Sequence, residues 1–131
     1  MKQTNGKALK KIRAILEDLL DLDGREISGE TYLIRDLGAE SIDLLELAVS
    51  LNREFGINVL DSEVFLWRLR VHLADACKSE NDEQSYIAGK YPHLDSARIS
   101  EILTDLDKGP ALKVKDIVSY VNYHREGARA D

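Results

Sequence analysis

The chain has 131 residues, 44% of them hydrophobic, which suffices for one domain with a real core and is short for two. Eighteen basic against 24 acidic residues leave a net charge of −6, and between positions 14 and 54 eleven Asp/Glu face only Arg25, Arg35 and Arg53, a balance that disfavours nucleic acid. The single cysteine, Cys77, excludes an internal disulfide, and no apolar run reaches bilayer length or resembles a signal peptide, so a cytoplasmic monomer without a membrane span is expected.

In chain order, Ala8, Leu9, Ile12, Ile15, Leu16, Leu19 and Leu20 recur at helical spacing, with Asn5 available as a cap and Gly24 past the end. Residues 25–40 mix Ser28, Gly29, Thr31 and Gly38 with an apolar Tyr32-Leu33-Ile34, which predicts a long loop pinned to the core. A second helix is predicted over 41–55 with two apolar stripes. Leu44, Leu47, Ala48, Leu51 and Phe55 form a core face, whereas Ile42, Leu45 and Val49 form a neighbouring strip that either widens the core or serves protein contact.

A third helix is expected over 63–77, capped by Asp61 or Ser62 and apolar on most sides. The polar run 78–85 reads as an exposed, mobile connection, and 86–91 as a short helical turn before Pro92. Asp95 or Ser96 caps a short helix carrying Ile99, Ile102, Leu103 and Leu106. Val114, Ile117, Val118 and Val121 mark a last helix over 113–124, followed by a flexible polar tail, 125–131. No period-2 alternation appears, so the fold class is all-α, a helical bundle.

No acid, base and nucleophile stand at motif spacing, which argues against an enzyme. His72, His93 and His124 read as packing or surface residues, Cys77 as a small buried hydrophobe, and no Cys/His spacing suggests a metal. Ser41 is different because it stands at the mouth of the second helix, where unpaired N–H groups and the helix dipole stabilise an attached anion. A serine there also makes a good cap, and that alone would explain its residue type.

The run Asp36-Leu37-Gly38-Ala39-Glu40-Ser41-Ile42-Asp43-Leu44-Leu45-Glu46-Leu47 resembles the modification motif of acyl carrier proteins. The likeness continues through Glu54-Phe55-Gly56-Ile57-Asn58-Val59 and returns at Leu112-Lys113-Val114-Lys115-Asp116-Ile117-Val118, covering roughly 7–64 and 112–124 with the first helix included. It implies a non-catalytic carrier with 4'-phosphopantetheine attached to Ser41 by a phosphopantetheinyl transferase. The arm's thiol would hold acyl intermediates as thioesters in specialised fatty acid or lipid biosynthesis. Acyl-transfer and chain-modifying enzymes with basic docking surfaces would be its partners.

The resemblance assigns partner contact to Asp36, Glu40, Ile42, Asp43, Leu45, Glu46 and Val49. An aminoacyl or peptidyl carrier, or an unmodified interaction module of the same shape, are the alternatives. Three departures stand out. Glu40 replaces the family's usual Asp before the serine, and Asn52 and Arg53 occupy places that are commonly acidic. Residues 65–109 far exceed the short connection of ordinary carriers and are too apolar for a linker. The expectation is one carrier domain over 1–131: an acyl-carrier-like four-helix bundle with an inserted helical region between the third and last family-like helices.

Overall fold

The computed structural model describes the backbone of residues 2–22 and 26–130 and the side chains of residues 6–22 and 26–125. The apolar stripe of α1 (Lys2–Leu20) buries Ala8, Ile12 and Leu16 against α2 (Ser41–Phe55) and α7 (Val114–Ala130). Leu44, Leu47, Ala48 and Leu51 of α2 and Val114, Ile117, Val118 and Val121 of α7 face the same interior. Burying each such Leu or Ile contributes about 1.5–3 kcal/mol. Phe55 is only half-buried, with Lys11 and Arg125 over its ring.

Four short helices join α2 to α7: α3 (Asp61–Val64), α4 (Leu69–Lys78), α5 (Glu83–Lys90) and α6 (Ser96–Asp105), with a 3-10 turn at Leu106–Lys108. α4 packs on α5 and α5 on α6, while α3 packs on α7. Phe65, Leu66, Leu69, Ile87, Tyr91, Leu94, Ile99 and Ile102 join the same hydrophobic cluster as the α1, α2 and α7 residues. The inserted helices therefore enlarge one core.

The single third helix expected over 63–77 is two helices separated by a turn. Leu66 takes a left-handed conformation with φ 59°, which an α-helix cannot continue through. The Trp67 N–H reaches back to the Ser62 carbonyl at 3.2 Å, closing the end of α3. The turn resolves the problem of an apolar run on all sides: Phe65 and Leu66 go inside while Trp67 and Val71 remain 47% and 45% exposed.

Other boundaries also move. Asn5 lies inside α1, which begins at Lys2, and the proposed stop Gly24 lies outside the described residues. The connection before α5 is exposed but ends sooner, because Asp82 caps α5 by accepting the Ser85 N–H at 3.0 Å. Asp95 caps α6 by accepting the Arg98 N–H at 2.8 Å. α7 continues to Ala130 through the stretch read as a tail, whose Arg, Glu and Ala residues favour helix. Cys77, expected inside, is exposed.

The inserted helices are tied down by a buried ion pair. Arg98 on α6 donates from Nε to Asp116 Oδ1 at 2.7 Å and from Nη2 to Asp116 Oδ2 at 2.9 Å, with a further bond from Nη2 to the Ala111 carbonyl at 2.7 Å. Asp116 is fully buried and also accepts the Lys113 N–H at 2.9 Å. Such paired and fully bonded charges tolerate burial, whereas either one left alone would not. An aromatic file from Tyr91 through His93 to Tyr120 adds a second seam between the insertion and α7. Burial pushes the His93 imidazole down to about 4, with the nearby His124 acting in the same direction.

Candidate functional site

The approach to α2 is built from a loop that folds back on itself. The N–H groups of Asp36 and Leu37 donate to the Tyr32 carbonyl, that of Gly38 to Ile34 at 3.0 Å, and that of Ala39 to Leu33 at 3.1 Å. Gly38 has φ 68°, a conformation that favours glycine, and so turns the chain toward the helix. Leu37 and Ala39 are buried on either side of it while Gly38 and Glu40 face solvent, so the loop end is anchored by alternate residues.

Ser41 is the first residue of α2 and is exposed. The cap position itself belongs to Glu40, in an extended conformation, and its N–H donates to Asp43 Oδ2 at 2.8 Å. Among the described residues, none engages the Ser41 hydroxyl. Capping therefore does not account for Ser41. Its hydroxyl projects where the positive end of the helix dipole and the first-turn N–H groups favour a phosphate, so the site fits a phosphodiester-linked group.

The structure brings most of the sequence-derived contact residues to this surface. Ile42 is 63%, Leu45 45% and Val49 59% exposed, so the second stripe is not a widened core face. Glu40 and Glu46 are exposed beside it. Asp43 is half-buried and engaged in the cap. Asp36, though exposed, accepts the Tyr32 N–H at 2.9 Å and so helps to hold the loop.

Several residues that shape the site carry no local sequence signal. Arg35 stacks over the Tyr32 ring at 4.2 Å and bridges to the insertion, donating from Nη1 to Asp105 Oδ1 at 3.1 Å and from Nη2 to the Asp105 and Gly109 carbonyls, each at 3.0 Å. The Tyr32 hydroxyl also donates to Asp105, and that bond, with the Arg35 guanidinium, holds the Asp105 carboxyl below its ordinary range. On the other side, Lys113 and Lys115 hold Glu30 down to about 2 through hydrogen bonds at 2.7 and 2.9 Å. Asn52, one of the departures from the motif, accepts the Val59 N–H at 2.7 Å and thereby fastens the turn after α2. Arg53 is exposed in the last turn of α2, where its charge favours the helix dipole.

Among the described residues no cluster of three or more His, Cys, Asp or Glu could hold a metal ion, and no helix is long and apolar enough to cross a membrane. A family model described as a phosphopantetheine attachment site matches residues 10–68. An acyl carrier protein from Clostridium acetobutylicum is 43% identical over 54 residues, which cover 41% of this chain and 70% of that relative. Another from Solidesulfovibrio magneticus is 35% identical over 54 residues, 41% of this chain and 69% of the relative. No solved structure matches.

Proposed function

The chain belongs to the acyl carrier protein family, and from that premise we propose that Ser41 is the residue that carries its 4'-phosphopantetheine group. The observation that carries this reading is an exposed hydroxyl at the first position of α2, left unengaged because Glu40 and Asp43 form the cap. As in its family, the chain is a non-catalytic carrier. The bound group supplies a thiol on which an acyl chain is held as a thioester.

Loading is a phosphoryl transfer. The Ser41 Oγ–P bond forms, the pyrophosphate P–O bond of coenzyme A breaks, adenosine bisphosphate leaves, and the hydroxyl proton passes to the transferase. The chain's own contribution is placement. α2 presents the hydroxyl, the first-turn N–H groups stabilise the phosphodiester, and the carboxylates of Glu40 and Glu46 offer a basic enzyme surface a defined approach. Ile42, Leu45 and Val49 supply the apolar centre of that contact and Glu40, Asp43 and Glu46 its charged rim. Asp36 contributes from the loop edge. Arg53 at the far end of α2 selects enzymes whose docking surface is not uniformly basic. The pathway we assign is specialised fatty acid or lipid biosynthesis, with cytoplasmic acyl-transfer and chain-modifying enzymes as partners.

Intact-mass measurement after incubation with coenzyme A and a broad-specificity phosphopantetheinyl transferase tests the assignment. A single phosphopantetheine adduct that disappears in Ser41→Ala is expected. No mass gain in the wild-type chain, or a gain that survives the substitution, would overturn it.

A further inference from the structure

α4 and the turn before it show solvent a mixed apolar and basic face. Trp67 and Val71 are 47% and 45% exposed, one helical turn apart, and the exposed Ala74 and Lys78 continue their line with Arg70 beside it. The one acidic residue of α4, Asp75, is half-buried, and the next exposed one, Glu80, lies past the helix end. Arg68 and Arg70 stand at the start of α4, where the positive end of the helix dipole disfavours a cation. Arg70 reaches the Leu106 carbonyl at 3.3 Å, yet among the described residues neither arginine forms an ion pair. Charges that gain little inside the chain and border exposed apolar side chains make a contact surface.

The complementary surface is on the same molecule. The exposed strip of α2 runs from Ile42 through Leu45, Glu46 and Val49 to Arg53, and that of α4 from Trp67 through Arg70, Val71 and Ala74 to Lys78. Both cover the same number of positions, so each is about 16 Å long at about 1.5 Å per residue. Laid antiparallel, Val49 meets Val71, Glu46 falls between Arg70 and Lys78, and the Arg53 guanidinium reaches the Trp67 ring. A parallel arrangement would set Arg53 against Lys78. Both strips are exposed within one molecule, so each is open to a second copy.

We propose that α4 of one copy docks antiparallel on α2 of a second copy, with Val49 and Val71 at the centre and Arg53 stacked on Trp67. The contact gives a role to Arg53, which stands where the family is commonly acidic. One helix face on another buries less than the roughly 1,200 Å2 of a stable interface, so the chain is a monomer when dilute and associates when concentrated. An engaged copy hides the strip beside Ser41, and association competes with any enzyme that reads that strip.

Sedimentation velocity of the full, unmodified chain is the test, and its outcome is independent of whether Ser41 carries an arm. At low salt the mean mass is expected to rise above that of one copy as concentration climbs from about 10 μM to about 1 mM. It is expected to fall back in about 1 M salt, where the screening length is about 3 Å. Val71→Glu and Val49→Lys lie on exposed helix surface, and each is expected to keep the wild-type circular dichroism and remain a single copy. Their equimolar mixture is expected to associate, because the introduced opposite charges meet. A wild-type chain that stays a single copy throughout overturns the proposal, and that series needs no variant. Wild-type association that salt leaves unchanged also overturns it. So does association of Val71→Glu alone, which would place α2 on α2, or of Val49→Lys alone, which would place α4 on α4. A mixture that fails to associate overturns it as well.

Discussion

Ser41 reaches its position through bonds that close over a few residues, from Tyr32 to Leu37, from Ile34 to Gly38 and from Glu40 to Asp43. The inserted helices are held by partners far apart in the chain, Arg98 with Asp116 at a separation of 18 and Arg35 with Asp105 at a separation of 70. The attachment point is exposed and set by bonds near it in the chain, although Arg35 also ties its loop across to Asp105, while the inserted helices are buried and held across the fold. The contrast separates chemistry from selectivity: the exposed region presents a hydroxyl that an enzyme must reach, and the buried one shapes what lies beside it.

That division makes the two regions respond differently to substitution. The largest effect is expected from Asp116→Ala, which leaves the Arg98 guanidinium with only the exposed Glu101 carboxylate at 3.2 Å and the Ala111 carbonyl, and the Lys113 N–H without its acceptor. Urea denaturation should record a loss of about 3–5 kcal/mol; a loss below about 1 kcal/mol would mean the pair does not anchor the insertion.

Acid should weaken the aromatic seam between the insertion and α7. His93 is pushed from 6.5 down to about 4 in the fold, so between these values the unfolded chain binds more protons. Its contribution is complete above pH 6.5 and is lost as pH falls toward 4, about 3 kcal/mol at ~1.4 kcal/mol per unit. Denaturation curves at pH 7.5 and 4.5 measure the loss, and His93→Phe is expected to flatten part of it. An unchanged slope in that variant would remove His93 from the account.

A smaller cost is expected at the boundary of the two regions. Asn52→Ala deprives the Val59 N–H of its acceptor and should cost about 1 kcal/mol, with Asn52→Asp retaining most of the stability. The smallest stability effect is expected on the exposed strip. Val49→Ala or Leu45→Ala should stay within about 0.5 kcal/mol in denaturation, yet slow transferase loading about tenfold if the strip is a contact centre. Loading at the wild-type rate would assign partner contact elsewhere.

The same contrast explains what could be read from the sequence. The bounds of α2 and the separate stripe of Ile42, Leu45 and Val49 follow from periodicity within one helix, and the helix-mouth serine from its immediate neighbours, whereas only the packed fold decides that the stripe is exposed. The break at Leu66 was hidden, because its left-handed turn falls on a leucine and no glycine or asparagine marks it. Arg98 looks like any polar helix residue until Asp116 is brought opposite it, and Arg35 like a loop cation until Asp105 arrives. Asn52 read as a departure from an acidic pattern, whereas its role is to hold a turn seven residues on. Cys77 fell on the wrong side because the helix carrying it was drawn too long and too straight.

The carrier function depends on Ser41. Tandem mass spectrometry of the chain isolated from its native cell is the most direct measurement, since it reads the attachment residue and the acyl load together. The expected result is phosphopantetheine on the peptide containing Ser41, bearing an apolar acyl thioester in part of the population. An unmodified Ser41 across growth conditions, or an arm on another residue, would contradict it.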